Sequence, residues 1–460
     1  MADRLNSPAA RDVKFVMHPY TNLEKHKENG PLIVDKASGV WVTDDSGKRY
    51  IEGMAGLWCT SLGFGEERLI DAATRQMREL PYYHLFTHKT HNPAIDLAEK
   101  LCGMAPGNMG QVFFANSGSE ANDTAIKLIW YYNNAIGRPE KKKILARLKG
   151  YHGVTVAAAS LTGLPYNHRD FDLPIANIGH VDCPHYYRYA EAGESEEDFA
   201  TRLAENLEKR ILEEGPDTVA AFFAEPIMGA GGVILPPKTY FQKIQPILKK
   251  YDILLVADEV ICGFGRTGNM FGCETFDIEP DMVTVAKALS SAYLPISALM
   301  VKDEIAEAVS RNSGKIGTFG HGYTYSGHPA AVAVALETLK LYEERDILAH
   351  VREVGPHMQA RLREFQDHPM VGEVRGIGLI GAVETVADKE TRQNFDPSLA
   401  VGPKLMMAAQ QHGAILRATP GDAIAFSPPL IISKDEIDQM VAAFGKALDQ
   451  VHAEIKKAAA

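Results

Sequence analysis

Five short runs rich in β-branched and aromatic residues recur through the middle of the chain: QVFFAN, KKILARL, VAAFFAEP, DILLVADEV and DMVTVAK. Segments with helical spacing, such as SEANDTAIKLIWYYNN and KTYFQKIQPILKKY, lie between them. A strand followed by a helix cannot close a hairpin; the crossover lays the next strand parallel and puts the helix on a face of the sheet. The expected fold class is therefore α/β, a mostly parallel central sheet with helices on both faces. That large domain should span residues 61–326.

At 460 residues the chain is too long for one ordinary domain. From HPAAVAVALETLKLYEERD onward the pattern changes to a long helix, the segment GEVRGIGLIGAVE, another helix over PKLMMAAQQHG and a strand AILRA. This order suits a smaller α+β domain over residues 327–460. In the N-terminal arm, GVWVTDDSGKRYIE reads as a hairpin with Asp-Ser-Gly at its turn. Residues 1–60 are expected to join the C-terminal part in one discontinuous domain.

Charge removes several classes of function. The formal net charge is −11, from 48 basic and 59 acidic side chains, and no basic block is concentrated enough to track a phosphate backbone, so no nucleic-acid partner is expected. The segment MADRLNSPAARDVKF has no apolar core of signal-peptide type, and no charge-free stretch of membrane-spanning length occurs, which points to a cytosolic protein. Cys59, Cys102, Cys183, Cys262 and Cys273 are odd in number, scattered and without a CxxC pair, so reduced thiols are expected. The most charged stretch, YAEAGESEEDFATRLAENLEKRILEEG, reads as a loop leading into a solvated helix.

Ligands of open α/β sheets bind outside the carboxyl ends of the strands. After QVFFAN, Ser117, Gly118 and Ser119 lead into a helix whose free amides could cradle an anion, or Ser117 could simply cap it. DILLVADEV ends in Asp258 and Glu259 after a run of apolar residues, so a carboxylate is pushed into a strand end that must supply a partner. Lys287 sits in PDMVTVAKALSSAYLPISALM, otherwise small and apolar; it is either a snorkelling surface lysine or an amine kept neutral for nucleophilic work. GYHG, with Tyr151 and His152, follows KKILARL. Each has an ordinary reading alone. Together an anion cradle, a buried aspartate and a buried lysine at one sheet edge match the phosphate, ring nitrogen and aldehyde of pyridoxal 5′-phosphate.

The motifs GMAGLWC, ANSGSEANDT, GYHGVT, AEPIMGAGG, ADEVICGFGRTG, VAKALSSAYLP, HGYTYSGHP and ILRATPGDAIAFSPPL, in this order over nearly the whole chain, resemble the class III aminotransferases of fold type I. The resemblance is strongest to the (S)-selective amine:pyruvate, or omega, transaminases. It implies that Lys287 carries the cofactor covalently, Asp258 holds the protonated ring nitrogen, Tyr151 stacks on the ring and Val260 packs on its other face. Gly118 and Ser119 would bind the phosphate, assisted by Thr324 of the partner subunit, with Ser117, His152 and Glu225 in the same cofactor-binding set. Arg417 would bind the carboxylate of the keto acid, and Leu57, Trp58, Phe86, Ala230 and Ile261 would line the amine pocket, with Tyr20 also on the substrate side.

Two features depart from the wider family. Ile261 and Cys262 stand where many members carry Gln near the phenolic oxygen, as in the amine:pyruvate subgroup, and Ala288 replaces the usual Gly or Asn after the lysine. The implied reaction passes an amino group from a primary amine or ω-amino acid to pyruvate by a ping-pong route through pyridoxamine phosphate, in a homodimer or tetramer. An uncharged amine needs no cationic partner, so Arg417 must swing aside or be screened when one binds, and RATPGDA, with Pro420 and Gly421, could allow it.

Rival readings share the cofactor: a taurine, diamine or β-alanine transaminase, a decarboxylase or an aminomutase. A non-enzymatic binding protein would leave the lysine, aspartate and arginine without a use. GFGRTG fits the glycine fingerprint of an NAD-dependent oxidoreductase, but Asp258 and Glu259 intervene and no amphipathic helix follows. His84, His88 and His91 have helical spacing, yet no second cluster completes a metal site and none is expected.

Overall fold

The computed structural model describes residues 6–459; residues 1–5 of the arm and residue 460 lie outside the described residues. Near the N-terminus β1 (Val34–Ser38), β2 (Trp41–Asp44) and β3 (Arg49–Glu52) pair in antiparallel succession. The β2–β3 turn falls on the Asp-Ser-Gly segment, where Gly47 takes φ +88° and the Asp44 side chain accepts from the Ser46 and Lys48 amides.

The central sheet has seven strands: β4 (Met109–Ala115), β5 (Lys143–Arg147), β6 (Ile178–Val181), β7 (Val219–Ala224), β8 (Leu254–Asp258), β9 (Met282–Val285) and β10 (Ser297–Lys302). Their order is β4-β10-β9-β8-β7-β5-β6. The block from β9 to β6 is parallel throughout, and β10 alone runs against its neighbours β9 and β4. The run containing Lys287 thus holds two strands, and β10, hidden inside it, closes the gap to β4. β7 is buried at every position, which is why VAAFFA does not alternate.

The helix Glu196–Glu214 differs from its expected solvated character. Phe199, Ala200, Leu203, Ala204, Leu207 and Ile211 are buried, so one face packs while the acidic face stays in water. C-terminally, GEVRGIGLIGAVE forms the antiparallel pair β11 (Val371–Ile377) and β12 (Ile380–Thr385). AILRA is not one strand: β13 (Ala414–Ile415) pairs in parallel with β3, while β14 (Arg417–Thr419) pairs with β15 (Ala423–Phe426) in the sheet of β11 and β12. The helices Pro329–Glu344 and Val401–Gln411 follow the expected periodicity. Among the described residues no helix is long and apolar enough to cross a membrane.

Candidate active site

Because β4, β5, β7, β8 and β9 point one way, their carboxyl ends meet at one edge, and β10 starts from it. A cavity of about 360 Å³ opens there, and Ser117, Gly118, Ser119, Tyr151, His152, Glu225, Asp258, Val260, Ile261 and Lys287 all line it. The chain crossing from Lys287 into β10 closes the rim with Leu294, Pro295 and Ile296.

Asp258 is the last residue of β8 and only 3% exposed. Its Oδ2 accepts from Asn122 Nδ2 and His152 Nδ1, each at 2.8 Å, and its Oδ1 accepts from the Val260 amide at 3.1 Å. A carboxylate has about four lone-pair sites, so three donors make its burial tolerable and leave capacity for one more. Asn122 also donates to the His152 carbonyl at 2.7 Å, tying the helix Gly118–Ala135 to the loop after β5. Sequence reasoning missed Asn122; the signal was an amide beside Ala121 on the helix face whose spacing points to the core. Glu259 turns the other way and accepts from the amides of Gly272 and Cys273. Burial pushes its carboxyl up to about 7, against the pull of the Cys273 and Gly272 bonds.

Lys287 lies two residues beyond β9, half-buried, with φ +44°, and opens the short 3₁₀ turn Lys287–Ser290. The left-handed residue is the lysine itself, so Ala288 needs no glycine-like freedom and its Cβ is accommodated. Its carbonyl accepts from Tyr342 Oη at 3.0 Å. Cys59 reaches the same cavity; burial pushes its thiol up, and the nearby Lys287 charge pulls against it.

At the helix start Ser117 does act as N-cap, its Oγ accepting from the Glu120 amide at 3.2 Å. Ser119 Oγ accepts from the Val154 amide at 3.0 Å. Gly118 faces Val260 so closely that an added Cβ would stand 3.1 Å from Val260 Cγ2, a contact that the Val260 side chain would have to yield to by a few tenths of an ångström. Glu225, buried after β7, accepts from the amides of Tyr151 (2.9 Å) and Gly229 (3.0 Å), with burial pushing its carboxyl up. It therefore fixes the backbone that presents the Tyr151 ring, whose phenol burial also pushes upward.

Tyr20 and Arg417 line a neighbouring cavity of about 920 Å³ walled by Val154, Val156, Tyr166, Phe171 and Leu173. The Tyr20 and Tyr151 rings stand 6.5 Å apart, and Asn167 Nδ2 donates to Tyr20 Oη at 2.6 Å. The Arg417 guanidinium lies over the Trp58 ring, 5.6 Å from its centroid. Trp58 and Ile261 share a buried cluster against which Ala230 packs. Leu57, Phe86 and Thr324 line neither cavity and are exposed; the Thr324 carbonyl accepts from Tyr82 Oη at 2.7 Å.

The rival motifs resolve as structure. GFGRTG enters a turn in which Gly265 and Gly268 take φ +100° and +94°; the next helix, Gly272–Phe276, has five residues, and buried Arg266 donates to the Leu379 and Pro428 carbonyls. His84, His88 and His91 share no helix. His91 caps the helix Asn92–Met104 through Nδ1, while its other ring nitrogen bonds the Gly327 carbonyl at 2.8 Å.

A helix start free to hold phosphate, a donor-supported aspartate and a lysine at the ends of one sheet fit pyridoxal 5′-phosphate in donor chemistry and size, and they define a fold type I enzyme built on that cofactor. The aminotransferase class-III family profile matches residues 23–448, and the chain belongs to that family. Gamma aminobutyrate transaminase 3, chloroplastic, of Solanum lycopersicum is 52% identical over 449 residues, covering 96% of this chain and 86% of that protein. Probable gamma-aminobutyrate transaminase 3, mitochondrial, of Oryza sativa subsp. indica is 52% identical over 434 residues, 94% of this chain and 85% of that one. The omega transaminase of Pseudomonas jessenii in complex with PMP superposes with a TM-score of 0.96 at 54% identity, covering 98% of this chain and 99% of that chain. A thermostable omega transaminase variant engineered for asymmetric synthesis of enantiopure bulky amines matches with the same TM-score and identity, covering 98% and 100%. The protein is a pyridoxal phosphate-dependent aminotransferase.

Proposed function

We propose that this aminotransferase moves the amino group of a primary amine or ω-amino acid to pyruvate, releasing a ketone or aldehyde and alanine. The observation that carries the reading is Arg417. Its guanidinium has no acidic partner within ion-pair distance among the described residues, rests on the Trp58 ring and borders a mainly apolar cavity. A bidentate cation in that setting suits the carboxylate of a keto acid, while the apolar walls suit the body of an amine. Trp58, Ile261 and Ala230 would bound the amine on one side, Tyr20 on the other, and Leu57 and Phe86 at the outer rim.

The cofactor supplies an electron-withdrawing ring that acidifies the substrate carbon bearing nitrogen. Asp258, held by Asn122 and His152, would keep a proton on the ring nitrogen of that cofactor. Lys287, on the rim of the cavity, would serve as the base that accepts the proton from the substrate carbon and then as the acid that returns it. Tyr151 and Val260 would bound the cofactor's ring, and Gly118, Ser119 and the helix-start amides would hold its phosphate. Thr324, exposed and away from the cavity of its own chain, suits a phosphate contact across a homodimer. A cytosolic location is part of the same reading.

A second reading rests on the curated relatives, which are named γ-aminobutyrate transaminases. An ω-amino acid donor brings its own carboxylate and would use the same arginine. Single-turnover loading of the enzyme with 1-phenylethylamine and with γ-aminobutyrate, then discharge by pyruvate with alanine as the readout, separates the two. A measurable half-reaction with the carboxylate-free amine is expected. Its absence beside rapid turnover of γ-aminobutyrate would replace the first reading with the second, and failure of pyruvate to discharge the loaded enzyme would overturn the choice of acceptor.

A further inference from the structure

Two clusters of three metal-ligating side chains lie outside the cavity among the described residues, each with donor atoms within 4.8 Å of one another. In the first, His185 with Glu373 and Glu384, the carboxylates are already neutralised. Arg375 Nη1 stands 2.5 Å from Glu373 and 2.6 Å from Glu384, and Arg188 also pairs with Glu384. Two fixed guanidiniums would repel a divalent ion, so this cluster is a salt-bridge network.

The second cluster, Asp12, His18 and His26, contains no such cation. His18 Nε2 stands 2.9 Å from Asp12 Oδ2 and 3.0 Å from Oδ1, and His26 Nε2 stands 2.9 Å from the same Oδ2. The imidazole centroids are 4.2 Å apart with the rings inclined at 44°. Two Nε2 atoms and a carboxylate oxygen therefore converge on one point. The side chains keep between 11% and 28% of their exposure, sheltered yet open to an ion from solvent.

The surrounding arm gives the convergence a purpose. The helices Pro8–Phe15 and Leu23–Asn29, which carry Asp12 and His26, bury no residue at all, so apolar packing does not hold them together. Between them the chain reverses through Tyr20, at φ +50°, whose ring faces Tyr151 at the active-site cavities. A cross-link between the two helices would fix that reversal.

We propose that Asp12, His18 and His26 bind one divalent transition-metal ion of the Zn²⁺ type, with two neutral imidazole Nε2 atoms, one carboxylate oxygen and water as ligands. The ion staples the N-terminal arm beside the active site. Three protein ligands of this kind with an open fourth position make a standard four-coordinate zinc set. The two nitrogen–oxygen pairs, at 2.9 Å, need only part by a few tenths of an ångström to reach the ~3.3 Å implied by tetrahedral bonds of about 2.0–2.1 Å, and the two nitrogens lie within 4.8 Å of each other. Binding shifts each ring proton to Nδ1, so the ion replaces two hydrogen bonds to Asp12 with bonds of its own.

The test uses the full-length holoenzyme, stripped with chelator and dialysed. Titration with Zn²⁺ in a calorimeter should show one equivalent per chain, and Co²⁺ should give tetrahedral visible bands. Both should be lost in His26→Ala and in His18→Gln, whose circular dichroism should match the parent. Zn²⁺ should slow tryptic cleavage at Lys14, Lys25 and Lys27 in the parent only. No stoichiometric binding, or the same binding in both variants, would overturn the proposal, since an ion taken up elsewhere on the protein survives those substitutions.

Discussion

Asp258 stays buried because every charge-bearing oxygen has a donor, and that arrangement sets what its replacement does. In Asp258→Asn one oxygen becomes an NH₂ that must face a donor, Asn122, His152 or the Val260 amide. The amide also cannot hold a ring nitrogen protonated. We expect the variant to fold and retain cofactor while turnover falls by about 10²–10³-fold, the scale for losing one preorganised electrostatic partner; near-parental turnover would remove Asp258 from its assigned role. Lys287→Ala should abolish turnover together with the visible band of lysine-bound cofactor. Arg417→Ala should weaken pyruvate by about 2–4 kcal/mol of transition-state binding while changing the 1-phenylethylamine half-reaction far less. Because the guanidinium rests on the Trp58 ring, the two residues do not divide the substrates cleanly. A smaller residue at 58 should admit bulkier amines and also disturb pyruvate, and a double-mutant cycle on the pyruvate half-reaction should return a coupling of about 0.5–2 kcal/mol.

Elements, rather than single residues, explain two of the buried glutamates, Glu52 and Glu259. Glu52 closes β3 and accepts from the amides of Met54 (3.2 Å) and Gly56, holding a loop in which Ala55, Gly56 and Trp58 take φ +47°, +67° and +58°. Glu259 holds the turn at Gly272 and Cys273 in the same way. Burial raises both carboxyls to about 7 from an ordinary value of 4.5, opposed in part by those amides. A raised folded-state pKa means that the folded protein binds the proton more tightly. The stability from each group is therefore full below pH 4.5 and is lost as pH rises through about 7. Comparing Glu259→Gln with the parent isolates one of them. The parent should lose up to about 3 kcal/mol more than the variant between pH 4.5 and 8, measured by denaturant unfolding. Parallel pH profiles would show that Glu259 does not titrate in this range.

At the scale of the whole molecule, the exposed positions carry the expectation of self-association. Leu57 is 46% exposed, Phe86 42% and Tyr325 61%, and Thr324 lies beside Tyr325. Apolar side chains left open around a functional cavity are the usual mark of a surface that another chain covers. Sedimentation at assay concentration should give a dimer or a multiple of one, and Thr324→Ala should weaken cofactor retention without altering that state. An active monomer would leave Thr324 with no phosphate to reach.

Much of the strand order, and with it the site, was legible because short-range chemistry decided it. Five apolar runs alternating with helices admit few arrangements, and three of them led into a residue that apolar surroundings could not tolerate alone: Ser117 at a helix start, Asp258 at the end of β8, Lys287 after β9. Long-range packing decided the rest. β10 was hidden because ISALM continues the apolar run of β9 and nothing local marks the reversal. AILRA was divided between two sheets by partners far away in sequence, β3 for one half and β15 for the other. The donors around Asp258 come from residues 122, 152 and 260, and the cation over Trp58 comes from position 417. Local sequence established that a buried charge needed partners; only the folded chain, which brings residues more than a hundred positions apart into contact, decided which ones they were.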